Sequence, residues 1–144
     1  TIRSLGIYNS RVVEVGLTNG DEMGTPRNIY DVGWYINSAL PGANGVSIIN
    51  AHGGDLGNGI FRNLPKISIG AEILVEMGDG RKYTYVVHDV STQEIGNAAN
   101  DYMSTAFSSP KAGVASMTLI TCTGDWLEMQ QTYSQRLFVR ALLK

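Results

Sequence analysis

The feature that most constrains the fold of this chain is a succession of short, β-branched runs separated by glycine. Glycine accounts for 17 of the 144 residues. Short apolar runs bounded by turn residues are typical of β-sandwiches and β-barrels. The strands predicted on this basis are Arg11–Leu17, Val46–Ala51, Ala71–Met77, Lys82–His88, Met117–Thr121 and Arg136–Leu142. We therefore expect a mainly β fold.

The segments between these runs predict turns, loops and little helix. Gly78-Asp79-Gly80 is the clearest hairpin signal, because glycine and aspartate tolerate the positive φ that tight hairpins need. The stretch "IFRNLPKI" predicts one turn of helix. Ser91–Ala115 predicts a long loop with a short helix, and Thr123–Gln135 predicts a polar loop.

Length and charge narrow the class of protein. A chain of 144 residues has the size of one domain, which we assign to residues 1–144. The formal net charge is −2, and lysine and arginine do not cluster, which argues against a nucleic-acid-binding surface. A neutral or peptide-like partner fits this composition better.

Three chemically reactive side chains fall at the predicted strand ends. His52 follows one run, Cys122 follows another, and Arg136 begins the last. A cysteine nucleophile needs a histidine to exchange protons and a cationic or N–H donor for the developing oxyanion. Spacing alone does not bring the three together in space, and Arg140 lies on the same strand face as Arg136.

The residues taken singly also have plainer interpretations. A lone cysteine in an apolar strand more often packs as a small hydrophobe than acts as a nucleophile. His52 could be an ordinary loop residue, and His88 fits a structural role better than a chemical one. Two distant histidines and one cysteine do not supply the ligands of a zinc site.

Several segments together resemble the sortase family. "VSIINAHGG" is similar to the family's histidine segment, "TLITC" to its nucleophile strand, and "QRLFVRA" to its arginine strand. The order His, Cys, Arg along the chain is also the family's order. "RVVEVGL" and "VGWYINSALPG" are similar to segments of class E and class F members. The resemblance implies a closed, eight-stranded β-barrel with one or two short helices. It also implies a cysteine transpeptidase and replaces the plainer interpretation of Cys122.

The resemblance assigns roles to the three reactive residues. Cys122 would attack the Thr–Gly bond of an LPXTG-like sorting signal, His52 would transfer protons, and Arg136 would stabilise the oxyanion. The predicted substrate contacts are Ala51, Thr121 and Thr123. The second substrate would be an amine of a peptidoglycan precursor or a pilin lysine. No cofactor and no metal are expected.

The family also implies a location and leaves alternatives. The enzyme would work at the extracellular face of the cytoplasmic membrane, held by an N-terminal anchor that this sequence lacks. An L,D-transpeptidase-like envelope acyl transferase and a non-catalytic β-barrel peptide-binding module are the alternatives. Apolar side chains of the 91–115 segment could form a leucine pocket or could pin that segment to the core. They are Ile95, Tyr102, Met103 and Phe107.

Overall fold

A computed structural model of the chain describes residues 1–20, 22–53, 58–96 and 101–144, except for the side chain of residue 101. These residues form seven strands, one α-helix and two 3₁₀ turns, at Arg3–Leu5 and Leu64–Lys66. The strands are β1 (Val12–Val15), β2 (Val32–Tyr35), β3 (Val46–Asn50), β4 (Glu72–Glu76), β5 (Lys82–Glu94), β6 (Ser116–Leu127) and β7 (Thr132–Leu143). The helix is α1 (Asp101–Ala106). The mainly β prediction is confirmed.

All seven strands belong to one curled sheet in the order β1-β2-β3-β6-β7-β5-β4. β1 pairs with β2 and β3 pairs with β6 in parallel, and the other neighbours are antiparallel. The expectation of eight strands in a closed barrel is therefore corrected to a seven-stranded half-barrel in the described residues. The first residues form a 3₁₀ turn and an isolated bridge between Ile2 and Ile7 instead of a further strand.

Successive side chains of a strand point to opposite sides of the sheet. Because consecutive residues of the central strands are apolar, both faces of the sheet are apolar there. One face carries Ile49, Leu119 and Val139, which belong to the larger core cluster. The other carries Ile48, Ile120 and Phe138, which belong to the smaller cluster; we call it the site face. Packing on both faces holds the ends of the strands in fixed positions. A functional site built at strand ends depends on such rigidity.

The predicted turns and loops have mixed outcomes. The hairpin around Gly78-Asp79-Gly80 is confirmed, with Gly80 at φ +87°, and so is the single helical turn within "IFRNLPKI". The prediction of a loop over Thr123–Gln135 is wrong, because β6 continues to Leu127 and β7 begins at Thr132, and the two strands form a ribbon there. Trp126 and Tyr133 stabilise this ribbon by an edge-to-face contact with ring centroids 5.2 Å apart.

The predicted 91–115 loop starts four residues too early. Ser91–Glu94 continue β5, since they pair with Gln135–Phe138 of β7. The predicted short helix is α1, and residues 97–100 lie outside the described residues. In the described part of the chain, no helix has both the length and the apolar character needed to traverse a bilayer.

Candidate active site

The parallel pairing of β3 and β6 brings His52 and Cys122 side by side. The register ends at Asn50 opposite Ile120, and each reactive residue follows two positions later. The neighbourhood continues beyond the last pair, because the Ala51 N–H donates to the carbonyl of Ile120 at 3.2 Å. Since side chains alternate along a strand, both reactive side chains fall on the site face.

Two glycines allow the histidine segment to lie this close. A Cβ on Gly53 would lie 2.3 Å from the Thr121 hydroxyl and 3.1 Å from the carbonyl oxygen of Cys122. A Cβ on Gly59 would lie 2.3 Å from the carbonyl oxygen of His52. A larger residue in place of Gly53 would push the ends of β3 and β6 apart, and one in place of Gly59 would push its own segment away from the His52 backbone.

Arg136 is the direct cross-strand neighbour of Cys122. The two residues are paired in the antiparallel β6–β7 register, and paired side chains lie on one face within reach of each other. The guanidinium donates to the carbonyls of Tyr133 and Gln135 at 3.0 and 3.1 Å, and to the Thr132 hydroxyl at 2.9 Å. All these partners are neutral, so they orient the guanidinium without cancelling its charge.

Arg140, the alternative arginine, occupies a different position. It is paired with Thr118, away from the strand ends. Its guanidinium forms an ion pair with Asp89 and donates to the Ser108 hydroxyl at 3.3 Å. The charge of Arg140 is thus already neutralised by a carboxylate, whereas that of Arg136 remains available to the thiol.

The electrostatics of Cys122 combine two opposing effects. The residue is half-buried, and desolvation raises the pKa of its thiol, while the positive charge of Arg136 opposes this in part. Burial wins, so the pKa stays above its ordinary value and the thiol is mainly protonated at neutral pH. A nucleophile in this state needs a proton acceptor close by.

The His52 ring is held by a backbone group that the sequence analysis missed. Its Nε2 lies 2.7 Å from the carbonyl oxygen of Pro26, in the β1–β2 connection. A backbone carbonyl acting as partner leaves no side-chain pattern in a sequence. The segment 54–57, which follows Gly53, lies outside the described residues.

The three predicted substrate contacts lie beside the reactive residues, with different exposure. Ala51 and Thr121 are each 3% exposed, and the Thr121 hydroxyl donates to the Ala51 carbonyl at 2.9 Å. The Thr121 side chain thus ties the end of β6 to the backbone of β3, and neither side chain is open to solvent. Thr123 is half-buried opposite Gln135. Substrate binding by these residues stays a prediction.

Helix α1 covers part of the site face. Tyr102 and Met103 pack against the cluster that contains Ile120 and Phe138, as expected for side chains that pin this segment to the core. Gln93, the β5 neighbour of Arg136, donates to the Thr105 hydroxyl of α1 at 2.6 Å.

The remaining apolar side chains of this segment are more open. Phe107 is 41% exposed and contacts Tyr35 edge to face, and Ile95 is half-buried. His88 is exposed at an irregularity of β5 beside Asp89. Within the described ranges, no three His, Cys, Asp or Glu side chains cluster as metal ligands would.

Comparisons with known proteins agree with this architecture. Residues 1–144 match the family model described as Sortase domain. The fold is similar to the Sortase D5 transpeptidase of Clostridium perfringens, with a TM-score of 0.69 and 22% identity over 100% of this chain and 76% of that chain. It is also similar to Listeria monocytogenes sortase A, with a TM-score of 0.68 and 16% identity over 99% of this chain and 83% of that chain.

A third similar structure is the Group B Streptococcus Pilus Island 1 Sortase C2, with a TM-score of 0.67 and 21% identity over 100% of this chain and 71% of that chain. No curated protein sequence matches the chain significantly. The expected fold family is confirmed. These neighbours are of classes D, A and C, so the assignment to class E or F stays a prediction.

Proposed function

This chain belongs to the sortase family of cysteine transpeptidases, and we propose that its substrate is an LPXTG-like sorting signal cleaved between Thr and Gly. The observation that supports this most is the row formed by His52, Cys122 and Arg136 at adjoining strand ends of the site face. A thiol with an imidazole on one side and an uncancelled guanidinium on the other suits acyl transfer from a peptide bond.

In the first half of the reaction, the thiol proton of Cys122 passes to His52, and the thiolate attacks the threonine carbonyl carbon. The S–C bond forms, the carbonyl electron pair moves onto oxygen, and Arg136 stabilises the resulting negative charge. The C–N bond then breaks, and His52 gives a proton to the departing glycine amine. A thioacyl enzyme remains.

The second half transfers the acyl group to an amine. His52 takes a proton from the incoming nucleophile, whose nitrogen attacks the thioester carbonyl. Breaking of the S–C bond returns the sulfur of Cys122 to its starting state and leaves a new amide. We propose a peptidoglycan-precursor amine or a pilin lysine as the acceptor.

The raised pKa of Cys122 affects the starting state. The ion pair of thiolate and imidazolium is a minor form of the free enzyme when burial keeps the thiol protonated. We expect slow turnover, since only that fraction attacks. Sortases act at the cell envelope, and we propose the extracellular face of the cytoplasmic membrane for this enzyme. Neither the L,D-transpeptidase-like enzyme nor the binding module is supported by the family match.

The test is a quenched LPXTG-type peptide incubated with the protein and a small amine. Cleavage should produce the peptide–amine conjugate, and mass spectrometry should detect a thioacyl adduct on Cys122. Cys122→Ala should abolish both signals, and His52→Ala should abolish the conjugate. Cleavage that persists without the thiol would refute the nucleophile assignment.

The two arginines provide a matched pair for the third role. Arg136→Gln should lower kcat/KM by about a hundredfold, the size observed when one oxyanion donor is lost. Arg140→Gln should cost far less, because Arg140 is paired with Asp89 at a distance from the strand ends. Equal losses for the two variants would contradict the assignment of Arg136.

A further inference from the structure

The His52 side chain is held by a segment of the β1–β2 connection that contacts the end of β3. On the strand, Asn50 and His52 are two residues apart and lie on the same face. In the β1–β2 connection, Gly24 and Pro26 are also two residues apart. The Asn50 Nδ2 donates to the Gly24 carbonyl at 2.7 Å, and the His52 Nε2 contacts the Pro26 carbonyl at 2.7 Å.

The segment that supplies these carbonyls is folded back on itself. The Gly24 N–H donates to the Gly16 carbonyl at 2.8 Å, and the Thr18 N–H donates to the Glu22 carbonyl at 2.8 Å. Farther along, the Ile60 N–H donates to the Ile29 carbonyl at 2.9 Å and ties the connection to the chain that follows His52. The position of the Pro26 carbonyl therefore depends on contacts at both ends.

Asn50 is built into this arrangement and not merely tolerated there. It is 5% exposed, and its Oδ1 has no hydrogen-bond partner among the described residues. A Cβ on Gly33, its β2 neighbour, would lie 2.5 Å from that oxygen and 3.1 Å from the Pro26 ring. Leaving the oxygen of a buried amide without a partner lowers the folding stability. The hydrogen bond from Asn50 to Gly24 offsets only part of this cost, which suggests that Asn50 serves something other than stability.

The Pro26 contact determines which nitrogen of His52 carries the proton. A carbonyl oxygen accepts hydrogen bonds and never donates, so Nε2 must be protonated in both the neutral and the charged ring. In the neutral ring, Nδ1 is then the nitrogen with the free electron pair. Proton exchange at His52 must pass through Nδ1.

We propose that Asn50 is a positioning residue that fixes the Gly24–Pro26 segment, so that the Pro26 carbonyl holds neutral His52 as the Nε2–H tautomer and reserves Nδ1 for proton transfer. The inference rests on the proposed function for its catalytic consequence. Its structural part, the tautomer and its dependence on Asn50, stands without any substrate.

The direct test is a long-range ¹H–¹⁵N correlation spectrum of histidine-labelled protein at a pH where the rings are neutral. We expect His52 to show a protonated Nε2 and an unprotonated Nδ1. His88, which is exposed, is the internal reference. A wild-type His52 with its proton on Nδ1 would overturn the proposal without recourse to any variant.

Asn50→Leu removes the donor while keeping the number and branching of the side-chain heavy atoms, and Thr118→Val is the matched control. Thr118 is also fully buried, and its hydroxyl has no partner among the described residues. Asn50→Leu should mix the His52 tautomers and lower kcat about tenfold with little change in KM, as expected when a bond that orients a reacting group is lost. Thr118→Val should leave the tautomer and kcat unchanged.

Asn50→Asp separates the hydrogen bond from side-chain shape. A carboxylate cannot donate to the Gly24 carbonyl, whereas a protonated carboxyl can, so this variant should resemble Asn50→Leu in its spectrum above the pH at which its carboxyl ionises. A wild-type tautomer in both Asn50 variants would refute the positioning role. If wild-type protein cleaves no LPXTG-type peptide, the proposed substrate is wrong, while the spectra still decide between the two tautomers.

Discussion

Replacing Arg136 by glutamine should make Cys122 a weaker nucleophile through charge alone. Glutamine keeps N–H donors near the Tyr133 and Gln135 carbonyls and removes the positive charge. The Cβ atoms of directly paired strand residues lie about 4.5–5.5 Å apart, and we take about 6 Å as the separation of the guanidinium and the thiol. At an effective dielectric constant of about 20, a thiolate at that distance gains about 2.8 kcal/mol from the cation.

Water screens part of this attraction because both side chains are half-exposed. If roughly half remains, the loss is about 1.4 kcal/mol, which is tenfold in the thiolate fraction near neutral pH. The assay is the rate of alkylation of Cys122 by iodoacetamide as a function of pH. Arg136→Gln should react about tenfold more slowly at pH 7 and equally fast at a pH where the thiol is fully ionised.

The control is Arg140→Gln, whose alkylation profile should match that of the wild type because Asp89 already neutralises Arg140. Three results would refute the electrostatic argument: no change on losing Arg136, faster alkylation, or an equal change for both arginines. Slower alkylation at every pH would indicate altered access to the sulfur instead of altered charge.

Three further predictions follow from the packing around the site. Gly53→Ala should lower kcat/KM about a hundredfold, because the added Cβ would lie 2.3 Å from the Thr121 hydroxyl, whereas Gly78→Ala, which adds its Cβ in open space, should not affect peptide cleavage. Above about pH 8.5, the unfolding free energy of wild-type protein should fall relative to that of Cys122→Ala, because the thiol ionises in the unfolded chain while burial keeps it protonated in the folded one. The same pH dependence of the unfolding free energy in both proteins, measured by urea denaturation, would contradict this. Phe138→Ala should lower the unfolding free energy by about 3–5 kcal/mol in urea denaturation, because Phe138 is fully buried beneath the site, and a loss below about 1 kcal/mol would contradict the described core.

The sequence was most informative where one face of a strand packs against a core. The runs that deliver His52, Cys122 and Arg136 are apolar, and their ends are marked by a change to polar or glycine residues. Their lengths were nevertheless underestimated at β5, β6 and β7. In the ribbon beyond Arg136, neither face is fully buried, so its side chains show no alternation that would distinguish it from a loop.

The pattern of residues along the chain could not predict which strands pair with each other. Nothing between residues 50 and 120 indicates that β3 lies parallel to β6, yet that pairing is what places the imidazole beside the thiol. Sequence alone could not choose between Arg136 and Arg140 for a similar reason: both fall on one face of β7, and they are distinguished by the neighbours that the fold gives them. Only the resemblance to sortases predicted that His52, Cys122 and Arg136 act together.

The three reactive groups differ in how the fold secures them, and this difference indicates where the site is most sensitive. Cys122 lies within the ladder of β6 and β7, and Arg136 is oriented by atoms of its own hairpin. His52 lies beyond the last β3–β6 pair, so its ring depends on the Pro26 carbonyl and on the loop that carries it. Substitutions in the β1–β2 connection should therefore disturb proton transfer before they disturb the thiol, although none of the described residues of that connection supplies a reactive side chain to the site.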